Sequence, residues 1–94
     1  MEFDRDDTKA EGNNRKHGIS FDEAETVFGD PLSAIFLDDE HSTDEKREII
    51  IGFSDRDRLL VVVFTERDED LVRIISARRA DPDERRKHEH ERER

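Results

Sequence analysis

The apolar residues of this 94-residue chain are concentrated in its second half, in dense runs separated by charged turns. EIIIGF and LLVVVF, at residues 48–53 and 59–64, are rich in β-branched and aromatic residues and too short for buried helices. They predict two strands, and weaker apolar runs predict two more, so that four strands are expected at residues 33–37, 48–54, 59–65 and 71–77. Because short charged turns join the last three, these strands are predicted to be antiparallel neighbours.

Two helices are predicted before the strands. A weak helical segment over residues 7–17 begins at Asp7 and stops at Gly18, directly after three basic residues. The next helix is better specified, because Ser20 and Glu23 form a capping box at its start. Its apolar residues follow at helical spacing and form one stripe for the core: Phe21, Ala24, Val27 and Phe28.

The C-terminal residues predict a third, highly charged helix over residues 81–94, with Asp81 as the N-cap and Pro82 as the first helical residue. Residues 2–4 are compatible with one further, very short strand. The sequence therefore predicts a single α+β domain spanning residues 1–94. In this fold, two N-terminal helices and a C-terminal helix accompany an antiparallel sheet of about four strands.

The two central apolar runs are continuous rather than alternating, so both faces of their strands require a cover. Residues 21–28 supply one amphipathic helix, whereas residues 81–94 are polar all round and are expected to cover the second face poorly. Either a second chain covers that face, or ordinary packing within a small domain suffices. We expect a second chain on the uncovered face, within reach of the C-terminal arginines.

The charge of the chain is unevenly distributed. Charged residues make up 47% of the sequence and the formal net charge is −10. Residues 73–94 hold eight basic and six acidic side chains, whereas residues 1–72 hold nine and 21, so an anion is expected to bind only near the C-terminal end. The chain has no cysteine and no apolar stretch of membrane-spanning length, and is expected to be cytoplasmic, with no membrane contact.

Several short motifs occur in a fixed order. Phe3 and Asp4 are followed by KHGISFDEA at residues 16–24, and RIISARRA stands at residues 73–80. In this order the motifs resemble the BrnT family of type II toxins, over about residues 3–89. The resemblance implies a RelE-like ribonuclease fold, cleavage of RNA and inhibition of translation. It also implies neutralisation by a BrnA-like antitoxin that itself binds operator DNA. The chain is expected to form either a homodimer or a heterotetramer with this antitoxin.

Three positions depart from the family pattern: Arg5 stands where a Trp is usual, Asp7 where a Pro is usual, and His88 where a Tyr is usual. An aromatic ring at the first or last of these positions would be suited to stacking on a base. The departures favour an alternative function, in which the chain is a catalytically weakened BrnT-like protein that serves as a binding partner of an antitoxin.

Cleavage of RNA without a metal ion needs a base for the 2′-hydroxyl, cations at the phosphate and an acid for the leaving oxygen. His17 is the candidate base, because imidazole groups exchange protons near neutral pH. Lys16, Arg78 and Arg79 complete the predicted catalytic group, and the predicted substrate-binding residues are Arg73, Arg85, Arg86 and His88. Structural explanations stay open for all of them, since a helix C-terminus favours cations and strand arginines form ion pairs. No metal ion and no cofactor are expected.

Overall fold

The computed structural model describes residues 1–38 and 46–92, so the last two residues of the predicted C-terminal helix lie outside the described range. The elements follow one another as β1 (Glu2–Asp4), α1 (Asp7–His17), α2 (Phe21–Thr26), β2 (Ala34–Leu37), β3 (Glu48–Phe53), β4 (Leu59–Asp68), β5 (Leu71–Arg79) and α3 (Pro82–Arg92). A short 3₁₀ turn, Val27–Gly29, extends α2.

The strands form one sheet in the order β1-β5-β4-β3-β2. The pairings from β2 to β5 are antiparallel, whereas β1 runs parallel to β5. The predicted α+β class and the placement of the helices are confirmed, but the sheet has five described strands and is mixed. β1 is too short to show a hydrophobic period. It is held by pairing with β5 and by the ring of Phe3, whose centroid lies 5.1 Å from that of Phe28.

α1 and α2 cover one face of the sheet. The buried apolar side chains on this face form a single cluster: Ile19, Phe21, Ala24, Val27, Ile50, Leu60, Val62, Phe64, Val72, Ile74 and Ala77. The apolar stripe predicted for α2 supplies three of them, while Phe28 packs against the edge of the cluster. The turn between the helices is made by Gly18, which has a φ of 70°, a left-handed conformation that suits glycine.

The helix starts differ from the predicted ones in two details. The N-cap of α1 is Asp6 rather than Asp7, because the Asp6 carboxylate accepts from the backbone N–H of Lys9 at 3.2 Å. Ser20 caps α2 as predicted, and its hydroxyl accepts from the backbone N–H of Glu23 at 3.0 Å. The Glu23 carboxylate does not reach back, however. It accepts from the Ser54 hydroxyl at 2.6 Å and binds the Arg58 guanidinium, which ties α2 to the β3–β4 turn.

The second face of the sheet is covered by α3, and the expectation that this helix covers it poorly is wrong. Ile51, Leu59 and Val61 form a second buried cluster there. His88 of α3 is only 1% exposed, and its ring lies edge-on to Phe53 with the centroids 5.7 Å apart.

Much of the second face of the sheet is therefore covered by side chains of α3 that are classed as polar. The Lys87 ammonium lies 4.1 Å from the centre of the Phe36 ring on β2. A hydrophobicity pattern counts Lys87 and His88 as polar, yet a buried ring and a cation over an aromatic face both shield apolar surface. Among the described residues, the exposed large apolar side chains lie elsewhere: Met1, Leu32, Ile35 and Leu37.

Candidate active site

Asn13 fixes α1 against the end of β5. Its side-chain nitrogen donates to the backbone carbonyls of Ile19 at 2.9 Å and Ala77 at 2.8 Å, and its oxygen accepts from the Ala77 N–H at 3.0 Å. β1 pairs with β5 only as far as Arg73, so the Asn13 amide satisfies backbone groups of Ala77 that a longer neighbouring strand would otherwise bind. Sequence reasoning missed this contact, because a polar residue within a weak helix gives no hydrophobic signal.

The last turn of α1 carries three exposed cationic or titratable residues, Arg15, Lys16 and His17. Lys16 and His17 follow Asn13 by three and four residues, so they lie one turn further along the same side of the helix. Because Asn13 is bound to Ala77, this turn stands beside the end of β5. No side chain of the turn forms a hydrogen bond or ion pair within residues 1–38 and 46–92.

Arg78 and Arg79 point to opposite faces of the sheet. Arg79 is paired with Leu60, which is buried under α1 and α2, whereas Arg78 is paired with Val61 on the α3 face. Arg79 is exposed, shares the face of α1, and has no side-chain partner in the part of the chain that the structure describes. We call Lys16, His17 and Arg79 the β5-end group.

Arg78 is held by Glu84 at the start of α3. Its two terminal nitrogens donate to the two carboxylate oxygens at 2.7 and 2.6 Å. The hydrogen bonds from Arg78 lower the pKa of the Glu84 carboxyl and raise that of Arg78 itself. Glu84 also accepts from the backbone N–H of Asp81, and Asp81 from that of Glu84, so the predicted cap of α3 is confirmed. A phosphate would have to displace a carboxylate to bind Arg78 in the same manner.

Arg73 is bound to a carboxylate as well. Its Nε and Nη2 donate to one oxygen of Asp4, at 3.0 and 2.6 Å, and thereby join β5 to β1. This hydrogen bonding lowers the pKa of the Asp4 carboxyl. The sequence left a phosphate and a carboxylate as equal explanations for Arg73, and the structure supplies the carboxylate.

The remaining predicted substrate residues lie on α3. Arg86 forms an ion pair with Asp83 of the same helix, while Arg85 is exposed and makes no such contact with any described residue. His88 is buried, and its Nε2 finds no hydrogen-bond partner among the described residues. The expectation that His88 contacts substrate does not hold in this structure, because α3 would have to lift from Phe53 before a base could stack on the imidazole.

The predicted site residues thus fall into two groups on opposite faces of the sheet. Lys16, His17 and Arg79 share the α1 side, whereas Arg73, Arg78 and α3 lie on the other. Two cavities, of about 380 and 300 Å³, lie elsewhere: one at the Glu48 end of β3 and β4, the other between α1 and α2 beside Arg5. No cluster of three potential metal ligands, and no helix long and apolar enough to cross a membrane, occurs within the described residues.

Comparison with known proteins agrees with this architecture. A family model described as the ribonuclease toxin BrnT of type II toxin–antitoxin systems matches residues 6–84. The crystal structure of the ribonuclease toxin BrnT of Brucella abortus superimposes with a TM-score of 0.67, covering 86% of this chain and 97% of that one. The two sequences are 23% identical, so this likeness shows the fold alone. No curated protein sequence gives a significant match.

Proposed function

The chain belongs to the BrnT family of ribonuclease toxins from type II toxin–antitoxin systems, and from this premise we propose that it is a metal-independent endoribonuclease whose cleavage of RNA inhibits translation and growth. Membership of a type II system implies an antitoxin partner. We propose that this antitoxin is BrnA-like, that it binds operator DNA on behalf of the complex, and that both proteins act in the cytoplasm.

The observation that carries the proposal is the unequal pairing of the strand arginines. Arg73 and Arg78 each bind a carboxylate, whereas Arg79 has no partner among the described residues and stands beside the last turn of α1. In a chain of net charge −10, cations that the described residues leave unpaired form a local positive surface to which an anion can bind. A phosphodiester offers these cations the charge-assisted hydrogen bonds that the chain itself does not provide.

The β5-end group can perform each step of a metal-independent cleavage. Arg79 holds the non-bridging oxygens of the phosphate, where negative charge increases in the transition state. His17 accepts the proton of the 2′-hydroxyl as that oxygen attacks the adjacent phosphorus, and the Lys16 ammonium donates a proton to the departing 5′-oxygen. The expected products are a 2′,3′-cyclic phosphate and a 5′-hydroxyl end.

Arg78 has a positioning role in this scheme. The Arg78–Glu84 pair fixes the first turn of α3 directly after the residue that holds the phosphate. Loss of Arg78 is therefore expected to loosen the start of α3 and to lower activity less than loss of Arg79.

Cleavage of an end-labelled RNA by the purified protein in the presence of EDTA tests the proposal. Arg79→Ala should reduce the rate by about 100-fold or more, since it removes a charge-assisted contact that strengthens in the transition state. Lys9→Ala is the matched control, because Lys9 is exposed on the first turn of α1 and its removal changes the net charge equally. Equal rates for the two variants would refute the assignment of Arg79, and cleavage abolished by EDTA would refute metal independence.

A second candidate function rests on the engagement of Arg5 and His88 within the fold. Arg5 forms ion pairs with Asp22 at 2.8 Å and Glu25 at 3.8 Å, and His88 is buried between α3 and Phe53. Neither residue is open for stacking on a base. In this alternative the chain binds its antitoxin without cleaving RNA, and it would then form the complex but neither degrade RNA nor arrest growth when expressed alone.

A further inference from the structure

The outer edge of β2 is an open and apolar strand edge. β2 is the last strand of the sheet, and no described residue pairs with its outer side. Ile35 and Leu37 are 57% and 50% exposed, and their alternation places both side chains on the same face. Leu32, 50% exposed, precedes the strand. Sheet edges of this kind are templates for pairing with another chain unless charges, prolines or bulges block them.

The opposite edge of the sheet, formed by β1, is protected by its short length and by its charged residues. β1 is three residues long and carries Glu2 and Asp4, and the latter is bound to Arg73. β2, in contrast, consists of Ala34, Ile35, Phe36 and Leu37 and holds no charge and no proline. The two edges therefore differ in the feature that decides whether a new strand can add.

The hydrogen-bond phase of β2 shows which backbone groups are available. The Asp38 N–H donates to the Arg47 carbonyl at 2.9 Å, so these two residues form a hydrogen-bonded pair between β2 and β3. Such pairs recur at every second residue of an antiparallel ladder, so the next one is Phe36 with Ile49. The N–H and C=O groups of Ile35 and Leu37 consequently face outward. A new strand would bind these groups while its own apolar side chains packed beside Ile35 and Leu37.

We propose that this edge receives an extended segment of the antitoxin as an added strand, with apolar side chains at alternate positions and basic residues flanking them. The inference rests on the antitoxin partner of the proposed function. The net charge of −10 decides between the possible occupants. A second copy would bring the same negative charge to this edge, whereas a basic segment is attracted to it.

The double variant Ile35→Lys plus Leu37→Lys tests the proposal, and Glu2→Lys on β1 is its matched control. The double variant adds two ammonium groups, and Glu2→Lys exchanges a carboxylate for an ammonium group. The net charge therefore changes from −10 to −8 in both variants. The probe is the protein encoded by the reading frame that neighbours this gene, purified and titrated against each variant by calorimetry. The double variant should raise the Kd by about tenfold or more, because the apolar contact area is lost, while Glu2→Lys should bind as the unaltered chain does.

Amide hydrogen exchange gives a second readout that does not depend on substitution. The Ile35 and Leu37 amides should exchange rapidly in the isolated protein and become protected in the complex, whereas the Phe36 amide is protected in both. Equal affinity of the double variant and the control overturns the inference alone. A dimer of the isolated chain that the double variant dissociates overturns it in favour of a second copy. Absence of any binding to the unaltered chain overturns the antitoxin partner as well, and leaves RNA cleavage to be judged separately.

Discussion

Replacing Asn13 by alanine should destabilise the protein far more than its place on a weak, polar helix suggests. The substitution removes three hydrogen bonds, two to Ala77 and one to Ile19, and leaves their backbone groups without a side-chain partner. At about 1 kcal/mol for each bond the loss is about 3 kcal/mol, and the higher helix propensity of alanine returns about 0.5 kcal/mol. A net loss of about 2–3 kcal/mol is large for a domain whose total stability is on the order of 5–15 kcal/mol.

Asn14 offers a matched control on the same helix. It is exposed, and its side chain makes no hydrogen bond within the described residues, so Asn14→Ala should be neutral or slightly stabilising. Urea unfolding followed by circular dichroism at neutral pH measures both variants. Free energies of unfolding of Asn13→Ala and Asn14→Ala that agree within about 0.5 kcal/mol would refute this prediction.

An isosteric change separates hydrogen bonding from packing at the same position. Asn13→Asp keeps the size of the side chain but replaces the nitrogen that donates to the Ile19 and Ala77 carbonyls by an oxygen. A buried carboxylate that faces two carbonyl oxygens destabilises the folded protein at neutral pH, and this loss of stability becomes smaller when the carboxylate binds a proton. Relative to Asn14→Asp, the deficit should therefore shrink as the pH is lowered. A deficit that does not depend on pH would contradict this account.

Three further predictions concern the other polar contacts. Glu23→Gln should lower the free energy of unfolding at neutral pH by about 2 kcal/mol. The hydrogen bond from Arg58 lowers the Glu23 pKa below its ordinary 4.5, so this contribution to stability is lost as the pH falls through the folded-state pKa. The free energy of unfolding should therefore fall less steeply on acidification in the variant than in the unaltered chain. His88→Phe should raise the melting temperature, since it keeps a ring beside Phe53 and removes the unpartnered Nε2, whereas His88→Ala should cost about 2–4 kcal/mol. RNA affinity measured by filter binding should decrease steeply between low and physiological salt, and a flat response would count against a phosphate held by the β5-end group.

The features that sequence predicted well are those with a local signal. The strands β3 and β4 were evident from continuous apolar runs, and the caps at Ser20 and Asp81 from residue types that bond their own helix start. Apolar periodicity and capping depend on residues within one or two turns of each other, so they can be recognised in the sequence before the fold is known.

The features that sequence missed depend on partners far along the chain. Asn13 and Ala77 are 64 positions apart. The Glu23 carboxylate binds Ser54 and Arg58, more than 30 positions away, instead of the predicted capping contact within its own helix. Neighbouring residues of a strand such as Arg78 and Arg79 face opposite sides, but no local rule shows which of the two meets a carboxylate. That choice is made by the position of Glu84 on α3.

The distance between the β5-end group and the β2 edge constrains how an antitoxin could neutralise the toxin. β5 and β2 are separated by β4 and β3, so three inter-strand spacings of about 4.8 Å give about 14 Å across the sheet. A strand added at β2 would anchor the antitoxin without covering Arg79. The added strand lies one spacing further out than β2, about 19 Å from β5, so the antitoxin chain must continue for at least about six extended residues, at about 3.3 Å each, to reach Arg79. An antitoxin fragment that ends with the added strand should therefore bind the toxin but leave RNA cleavage intact, and only the longer form should block it.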